Sequence, residues 1–548
     1  MNYSKYTILF LFLSLTLKLF SQVNQQWVNT YTTPGNNSDR VSAITVDVSG
    51  NVLVTGSCFE TASRNDCNTI KYSPEGQLLW VQRYNGPVNM DDIGTDIITD
   101  NAGNVYVTGY SQGAGTEMDC FIVKYDSSGV QKWSQRYDAA GKRDQAFSIC
   151  IDNMANIFIT GESVFAGINE DIITIKYDSA GNQIWMQSYN GPGNSYDVGK
   201  KIKTDDSGNV YVAAYSVGIG TSDDFATIKY DNSGIIKWIN RYDNGGKMDR
   251  PASIAVNGSG CLYVIGTSNS TINNMDGIII KYGINGNEEW VKLFNGPDNL
   301  NDHLNAIDLD NSGYLYITGS ANTYSSRYNF ATMKYDPSGT QLWVKYYNGP
   351  SNNEDASYDI KVDNSGNCYV TGTSMDTIAY WAGIRSLTMK YDNSGNRIWV
   401  QRFTPAQGVS GTNDLALDDF GNIYVAGHSS GASTNDDYLT IKYSQYLIGI
   451  QPVINQFPGE FSLSQNYPNP FNPTTTISFS IPATSSAAQT FLTVYDVMGR
   501  EIALLVNQHL TPGTYSVNWD ASNFPSGIYF YRLSSGEYTE TNKMILLK

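Results

Sequence analysis

Eight tryptophans recur along this chain at intervals of 52 to 56 residues, and no other feature constrains the fold as strongly. They are Trp27, Trp80, Trp133, Trp185, Trp238, Trp290, Trp343 and Trp399. A fixed period of this length indicates one supersecondary unit written many times, because each copy can bury its apolar faces only against its neighbours. The repeat therefore occupies most of the 548 residues.

The second copy shows what the unit contains. Segments rich in β-branched and aromatic residues, bounded by turn residues, predict four strands over 94–100, 104–110, 119–125 and 130–137. Turns rich in Asp, Asn and Gly follow the first and third strands, as tight hairpins require. The unit is therefore predicted to be an antiparallel meander.

Radial stacking of eight such sheets predicts an all-β chain with an eight-bladed β-propeller; a solenoid of strands is the alternative. The two ends of the repeat favour a closed ring. Trp27 to Tyr31 forms a fourth strand with no blade before it, and Tyr443 ends a third strand with no tryptophan after it. We expect the N-terminal strand to complete the last blade, which leaves no open sheet edge.

Two segments flank the ring. Residues 1–22 contain a lysine, an apolar run of about ten residues and a small residue, as in a secretory signal peptide, and this run is too short to span a bilayer. We expect the propeller over 23–443, a linker over 444–460 and a small Ig-like β-sandwich over 461–548. No transmembrane helix is expected.

The C-terminal region carries four segments in a fixed order: YPNPFNP, YDVMGRE, PSGIYFYRL and KMILLK. Together they resemble the type A C-terminal sorting domain of the bacterial type IX secretion system. The resemblance implies export by the Sec route, recognition by the outer-membrane translocon, removal by a sorting-domain peptidase, and release or surface attachment. An ordinary accessory sandwich is the alternative.

The repeats also have a relative. Segments such as DNAGNVYVTGYS (100–111) and DNSGNCYVTGTS (363–374) are similar to the bacterial β-propeller repeats known as SBBP, which share no common activity. The turn YDSSGVQKW (125–133) is similar to the tryptophan-docking turn of quinoprotein propellers, where it is structural. Both resemblances support the fold and imply no chemistry.

Composition excludes some partners. The formal charge of −17 argues against nucleic acid, since phosphate binding needs a basic surface. The six cysteines are too few for a disulfide scaffold, although Cys58 and Cys67 flank one hairpin and are predicted as a candidate disulfide. We expect a monomer.

No catalytic motif is present. The three histidines, His303, His428 and His509, belong to no zinc or nucleophile signature. We therefore predict no catalytic residue, no cofactor and no metal ligand. His303 and His428 are expected on loops at the same end of the ring, with His303 a candidate binding residue.

Aspartates recur at two positions of the repeat. Before each first strand stand Asp39, Asp92, Asp144, Asp197, Asp249, Asp302 and Asp355, with Ser410 in the last copy. At the start of each third strand stand Asp66, Asp119, Asp171, Asp224, Asp276 and Asp437, with Asn329 and Arg385 in the sixth and seventh copies. Both loops are expected on one face, so each blade presents a pair such as Asp92 and Asp119.

Two interpretations of these aspartates stay open. They can accept backbone N–H bonds that pin the loops, in which case calcium has no effect, and this is our expectation. Alternatively they bind calcium or a cationic ligand between blades. We name Asp92, Asp119, Asp144 and Asp171 as candidate binding residues.

Two functions from different classes follow. The first is an exported, non-catalytic propeller that binds a glycan, protein or matrix ligand through its loop face. The second is a secreted polysaccharide-active enzyme, a glycosidase or lyase, with paired carboxylates on that face. The irregular loop at 375–385 contains Tyr380 and Trp381, which are candidates for stacking on a sugar.

Overall fold

The structure is a computed structural model, and it describes fourteen stretches of the chain. They are residues 22–33, 38–60, 64–165, 169–271, 274–376, 383–405, 408–418, 421–430, 435–446, 451–452, 458–482, 488–510, 512–521 and 524–548. Except for Gln22, the predicted signal peptide lies outside them. The chain divides into two compact units, Asn24–Ser444 and a second one that contains Gln445–Lys548. In these stretches no helix is long and apolar enough to cross a membrane.

In the described residues, the larger unit contains eight four-stranded antiparallel sheets. Strand β1 is Gln22–Tyr31. Sheet 1 contains β2 (Asp39–Val46), β3 (Val52–Glu60), β4 (Arg64–Tyr72) and β5 (Leu78–Tyr84). Sheet 2 contains β6 (Asp92–Thr99), β7 (Val105–Gln112), β8 (Met118–Tyr125) and β9 (Gln131–Tyr137). Sheet 3 contains β10 (Asp144–Ile151), β11 (Ile157–Ser163), β12 (Asp171–Tyr177) and β13 (Gln183–Tyr189). Sheet 4 contains β14 (Asp197–Thr204), β15 (Val210–Val217), β16 (Asp223–Tyr230) and β17 (Ile236–Tyr242).

The remaining sheets continue the same order. Sheet 5 contains β18 (Asp249–Val256), β19 (Leu262–Thr271), β20 (Asn274–Tyr282) and β21 (Glu288–Phe294). Sheet 6 contains β22 (Asp302–Leu309), β23 (Leu315–Thr323), β24 (Arg327–Tyr335) and β25 (Gln341–Tyr347). Sheet 7 contains β26 (Asp355–Val362), β27 (Cys368–Met375), β28 (Ile384–Tyr391) and β29 (Arg397–Phe403). Sheet 8 contains β30 (Ser410–Leu417), β31 (Ile423–Ser430) and β32 (Asp436–Tyr446), and its fourth strand is β1.

The meander predicted for the second copy is confirmed, with every strand end within two residues of its predicted place. The pairing of the N-terminal strand with the last sheet is also observed, since β1 lies beside β32. The succession of four-stranded antiparallel sheets is that of a β-propeller.

Each tryptophan joins its own sheet to the next one. The indole of Trp80, on the fourth strand of sheet 1, donates to the carbonyl of Ser127 in the turn after the third strand of sheet 2, at 3.3 Å. The face of the same indole meets Gly129 of that turn, where an added Cβ would lie 2.9 Å from the ring. The same docking bond is made by Trp27, Trp133, Trp185, Trp238, Trp290 and Trp343. The tryptophans therefore recur once per repeat because each repeat makes this contact with the next sheet.

A lysine on each third strand supports the same contact. Lys124 lies opposite Tyr106 on the second strand, with its ammonium 4.9 Å from the ring centroid, and donates to Ser179 O of the next sheet at 3.0 Å. Trp133 Nε1 donates to the same carbonyl at 3.2 Å. One turn carbonyl thus receives two bonds from the preceding sheet.

The first strands of all eight sheets line one cavity of about 630 Å³. Each of these strands carries a register shift near its centre. A β-bulge of this kind bends the strand and re-aims the side chain beside it. The lining mixes aliphatic side chains with polar and charged ones, and its charged residues are described with the candidate site.

The C-terminal unit contains two four-stranded sheets. One consists of β33 (Gln451–Pro452), β34 (Ser462–Leu463), β35 (Thr474–Ile481) and β38 (Gly513–Asp520). The other consists of β36 (Ala488–Tyr495), β37 (Glu501–Leu510), β39 (Gly527–Ser535) and β40 (Tyr538–Leu546). A single apolar core joins the two sheets, with Ile477, Trp519, Val494 and Tyr531 among its buried members.

The predicted disulfide between Cys58 and Cys67 is wrong. Both thiols are free and buried. The register of β3 and β4 places Cys58 opposite Asp66, one position away from Cys67. Side chains alternate between the faces of a sheet, so the two sulfurs belong to different cores, that of Tyr424 and that of Phe121.

Candidate functional site

The loop face of the propeller is the end that carries the loops entering each first strand and the loops joining each second strand to the third. The first-strand aspartates pin the entering loops. Asp92 Oδ2, for example, accepts the N–H of Gly86 at 3.0 Å, and Asp302 Oδ2 accepts that of Gly296 at 2.5 Å. Equivalent bonds are made by Asp39, Asp144, Asp197, Asp249 and Asp355. All seven side chains are buried, and the predicted loop bonds are present.

The two aspartates of one sheet share the loop face but do not form the close pair. Asp92 and Asp119 lie on either side of Ser111, in a row across three strands of sheet 2. Strands are about 4.8 Å apart, so the two backbones are separated by roughly twice that distance. Asp119 instead meets Asp144 of the next sheet, where their carboxylate oxygens lie within 4.8 Å. The pairing predicted within a blade therefore occurs between blades.

Arginines on three fourth strands neutralise part of this acidity. Arg136 donates to Asp119 Oδ2 at 2.6 Å and to Ser111 Oγ at 2.5 Å, and it also contacts the Tyr84 hydroxyl of the preceding sheet at 3.3 Å. Arg241 repeats the bond to Asp224 at 2.6 Å, and Arg83 pairs with Asp66. Through these arginines, the aspartates at the start of the third strands also contribute to the contact between neighbouring sheets.

Burial shifts the protonation of several carboxyl groups on this face. Burial, together with the charges of nearby aspartates, raises the pKa of Asp144, Asp171 and Asp302 to about 6. For Asp171 the neighbour is Asp197 of the next sheet. Close carboxylates disfavour each other's ionisation, so these groups hold protons at a higher pH than free aspartates do.

The sequence predicts both histidines of the propeller on loops, but both lie on strands. His303 is the second residue of β22, half-buried, with Nδ1 3.2 Å from Thr267 Oγ1 and Nε2 3.5 Å from the Tyr328 hydroxyl. His428 is on β31, opposite Gly411. Burial lowers the pKa of both imidazoles. Both positions depend on the registers of the strands, and these registers are not visible in the sequence of the repeat.

The predicted aromatic pair, Tyr380 and Trp381, lies outside the described residues. A different aromatic residue is exposed on the loop face. Tyr324, in the turn between β23 and β24, is 81% exposed. Its backbone N–H donates to Asp298 Oδ2 at 2.9 Å. No sequence pattern distinguishes Tyr324, because three residues separate β23 from β24, as three separate β3 from β4.

Charged residues in the central cavity also escaped the sequence analysis. Asp414 Oδ2 accepts the N–H of Ile44 at 2.9 Å, and Asp359 Oδ2 accepts that of Leu415 at 3.2 Å, so each ties its first strand to the next one. Asp96 and Asp308 make equivalent bonds. The bulge that brings these carboxylates into the cavity is not visible in the sequence, so no sequence pattern distinguishes them.

The cavity contains a lysine among these carboxylates. Lys361 Nζ lies 3.0 Å from Asp359 Oδ2. Burial raises the pKa of Asp414, and the charge of Asp359 raises it further. Burial would also raise the pKa of Asp359, but the Lys361 ammonium and a hydrogen bond from Asp414 hold it below its ordinary value. Asp414 is thus the protonated carboxyl group of this pair, and Asp359 is the ionised one.

Two sequence families match parts of this chain. The family of secretion system C-terminal sorting domains matches residues 465–547. The β-propeller repeat family known as SBBP matches residues 79–115 and 398–433. The first match covers both sheets of the C-terminal unit, and the second falls on the repeated sheets.

Other proteins resemble the chain more distantly. An uncharacterised WD repeat-containing protein, L264, of Acanthamoeba polyphaga mimivirus is 21% identical over 66% of this chain, which spans about a third (32%) of that relative's length. A protein of unknown function from Dyadobacter fermentans has a TM-score of 0.33 and 7% identity, over 77% of this chain and 99% of that one. An ulvan lyase from a new polysaccharide lyase family has a TM-score of 0.36 and 12% identity, over 75% of this chain and 95% of that one.

The matched repeats lie in the larger unit, and the matched sorting domain lies in the C-terminal unit. Such a domain is the signal by which the type IX machinery recognises its cargo. The chain carries SBBP β-propeller repeats followed by a type IX C-terminal sorting domain, and is secreted by that system to the cell surface or the extracellular space.

Proposed function

We propose that this protein is an exported eight-bladed propeller that binds an extracellular glycan, protein or matrix ligand through its loop face and does not transform it. The observation that carries the proposal is the exposed ring of Tyr324 on a turn held from several sides. Binding residues are commonly presented on loops that a rigid scaffold positions.

The count of eight blades rests on three features. Eight four-stranded sheets are present in the described residues, and the first strand of each lines the same cavity. The carboxylate of Asp414 in sheet 8 bonds to Ile44 of sheet 1 in the way that Asp359 of sheet 7 bonds to sheet 8. The shared core of the C-terminal sheets likewise supports an Ig-like sandwich.

The Tyr324 turn is held by the loops on both sides of it. Asp298, in the loop entering sheet 6, accepts the Tyr324 N–H, and Asn352, in the loop entering sheet 7, donates to Ser325 O at 2.8 Å. Within the turn, Thr323 Oγ1 lies 2.8 Å from Ser326 Oγ. The exposed ring therefore stands on a fixed backbone, which lowers the entropy lost when a ligand binds.

A second exposed patch lies on the loop face at sheet 4. Tyr196 precedes the first strand of this sheet, and Ile219 lies between its second and third strands. The two loops are joined by a bond from Val217 N to Tyr196 O at 3.2 Å. Aromatic faces that are apolar with a polar tip suit stacking on sugar rings and packing against protein.

Binding is tested with a glycan array and with pull-down of matrix components, using the full chain. We expect Tyr324→Ala to reduce binding of any ligand found at least tenfold. Tyr346→Ala is the matched control, because Tyr346 is a partly exposed tyrosine (41%) of the same sheet but lies on its outer strand. Equal affinity of the wild type and the Tyr324→Ala variant for every ligand found would refute the assignment of this face.

One observation favours the second function, a polysaccharide-active enzyme. Asp171 is only half-buried, and burial with the charge of Asp197 raises its pKa to about 6, as a general acid requires. Product analysis of every glycan that binds separates the two functions. Cleavage that Asp171→Asn abolishes would replace the binding function by the enzymatic one.

Processing and oligomeric state complete the proposal. We expect a signal peptidase to remove residues 1–22, a sorting-domain peptidase to remove the C-terminal unit, and the product to be a monomer. Mass spectrometry and light scattering of the secreted protein measure these properties. An intact C-terminal unit in the secreted form would exclude cleavage.

A further inference from the structure

Two seams of the propeller, between sheets 2 and 3 and between sheets 4 and 5, each bring three aspartates together. In the first, one carboxylate oxygen from each of Asp119, Asp138 and Asp144 lies within 4.8 Å of the others. The second has the same arrangement two repeats later, in Asp224, Asp243 and Asp249. The recurrence of the whole cluster indicates a feature of the repeat that these two seams share.

One oxygen of the buried members of the first cluster has no partner. Asp119 Oδ2 accepts from Arg136 at 2.6 Å, and Asp144 Oδ2 accepts from Ala139 N at 3.0 Å. The Ser163 hydroxyl, opposite Asp144 on the neighbouring strand, also hydrogen-bonds to the Asp144 carboxylate. Within the described part of the chain, Asp119 Oδ1 has no hydrogen-bond partner. Asp119 is only 4% exposed, so ordinary solvation does not satisfy this oxygen.

The third member lies at the surface. Asp138 is exposed, and its Oδ1 accepts the N–H of Gly141 at 2.6 Å, which fixes the carboxylate in the turn before sheet 3. Asp138 thus gives the cluster a solvent-exposed member. The short turn from Asp138 to Asp144 is what brings the third carboxylate over the other two.

The second cluster repeats each bond. Arg241 donates to Asp224 Oδ2 at 2.6 Å, Asn244 N to Asp249 Oδ2 at 2.8 Å, and Gly246 N to Asp243 Oδ1 at 2.6 Å. The Ser268 hydroxyl hydrogen-bonds to the Asp249 carboxylate, as Ser163 does to Asp144. Asp224 Oδ1 again has no partner among the described residues, and Asp224 is 3% exposed.

Four other seams lack the third carboxylate. At the position of Asp138 and Asp243, five residues after the tryptophan, the other turns carry Asn85, Asn190, Asn295 and Asn348. These turns have an Asn-Gly-Pro sequence and are one residue longer before the next first strand. Among the residues that the structure describes, three carboxylates thus converge only where the turn is short and begins with aspartate.

The charge of each cluster is not balanced by protein. Three carboxylates face one arginine, which leaves a formal charge of −2 at a mostly buried place. A divalent cation held by the three carboxylates would neutralise this excess negative charge.

We propose that each of these two clusters binds one Ca²⁺ ion, with the three aspartates as ligands. The donor set consists of oxygen alone, which is what a hard cation prefers, and Ca²⁺ accepts irregular geometry and completes its shell with water. The expectation of no calcium effect, drawn from the sequence, concerned pairs of aspartates. The third member becomes apparent only when the turn is placed over the seam.

The test measures the number of Ca²⁺ ions bound by the full chain at neutral pH, with equilibrium dialysis and calorimetry after removal of metal by a chelator. We expect two ions for the wild type, one for Asp138→Asn, one for Asp243→Asn, and none for the double variant. Calcium should raise the melting temperature of the wild type by at least about 2 °C by mass action. It should leave that of the double variant unchanged.

The matched control is Asp206→Asn, which removes an exposed turn aspartate outside both clusters and should still bind two ions. Asp138 and Asp243 are exposed, so their variants are expected to fold, and circular dichroism verifies this. Should a variant not fold, the stoichiometry of the wild type still decides. A value of zero overturns the proposal, as does binding of two ions by a folded double variant.

Discussion

Lys442 Nζ donates to the carbonyl oxygen of Pro74 at 2.8 Å, across 368 positions of the chain. Trp27 Nε1 donates to the same oxygen at 3.0 Å. One bond thus comes from the last repeat and the other from the first strand, and both meet the turn of sheet 1. The seam that joins the two ends of the repeat has the same docking geometry as the internal seams.

This equivalence predicts the effect of removing the docking indole at the closing seam. We expect Trp27→Ala to lower the free energy of unfolding by about 3–5 kcal/mol, as for other large aromatic truncations. Trp238→Ala, at an internal seam, is the control and should cost the same within about 1 kcal/mol. Denaturant titration measures both. A negligible loss for Trp27→Ala alone would show that β1 contributes nothing to the ring.

The contact between glycine and indole predicts a second difference. Gly129 has φ +89° and meets Trp80, whereas Gly115 has φ +87° and open space around it. Alanine at Gly115 should cost about 1 kcal/mol for the left-handed backbone. Alanine at Gly129 should cost about 2–4 kcal/mol, because its Cβ also displaces the indole. Equal losses, measured by denaturant midpoint, would mean that the docking contact contributes little.

The raised pKa of Asp302 predicts how stability depends on pH. Its folded-state pKa of about 6 lies above the ordinary 3.8, so the folded protein binds more protons than the unfolded one between these values. Stability should therefore fall as pH rises from about 4 to 7, by about 1–3 kcal/mol from this group. Asp302→Asn should lose that part of the slope. An unchanged slope in this variant would exclude Asp302 as its source.

Secretion gives a fourth prediction. A reporter with its own Sec signal, fused to residues 461–548, should cross the outer membrane of a host with a type IX system, because the sorting domain lies within these residues. The same reporter without the domain should stay in the periplasm. Fractionation and activity in the medium measure the outcome, and periplasmic retention of the full fusion would contradict it.

Much of the fold could be predicted because the repeat determines it locally. Each tryptophan, each glycine turn and each first-strand aspartate bonds to residues within one repeat of itself, so its role repeats in every copy. The strands of sheet 2 lie where the β-branched pattern placed them. Averaging over eight copies makes such signals strong.

Features that depend on register or on one particular turn could not be predicted. Cys58 and Cys67 flank one hairpin, but a shift of one position sends them to opposite faces. Asp119 meets Asp144 across a seam, which only the stacking of sheets shows. Tyr324 is exposed on its turn, and its residue type does not reveal this.

Because β1 pairs with β32, the ring can close only when the two ends of the repeat array meet. Contacts separated by nearly the whole repeat array form late, because closing a long loop costs entropy before any bond is gained. The seam between sheets 8 and 1 is therefore where we expect the barrier to unfolding to be set. Extracellular persistence of the protein would then depend on how slowly that seam opens, more than on the equilibrium stability of any single sheet.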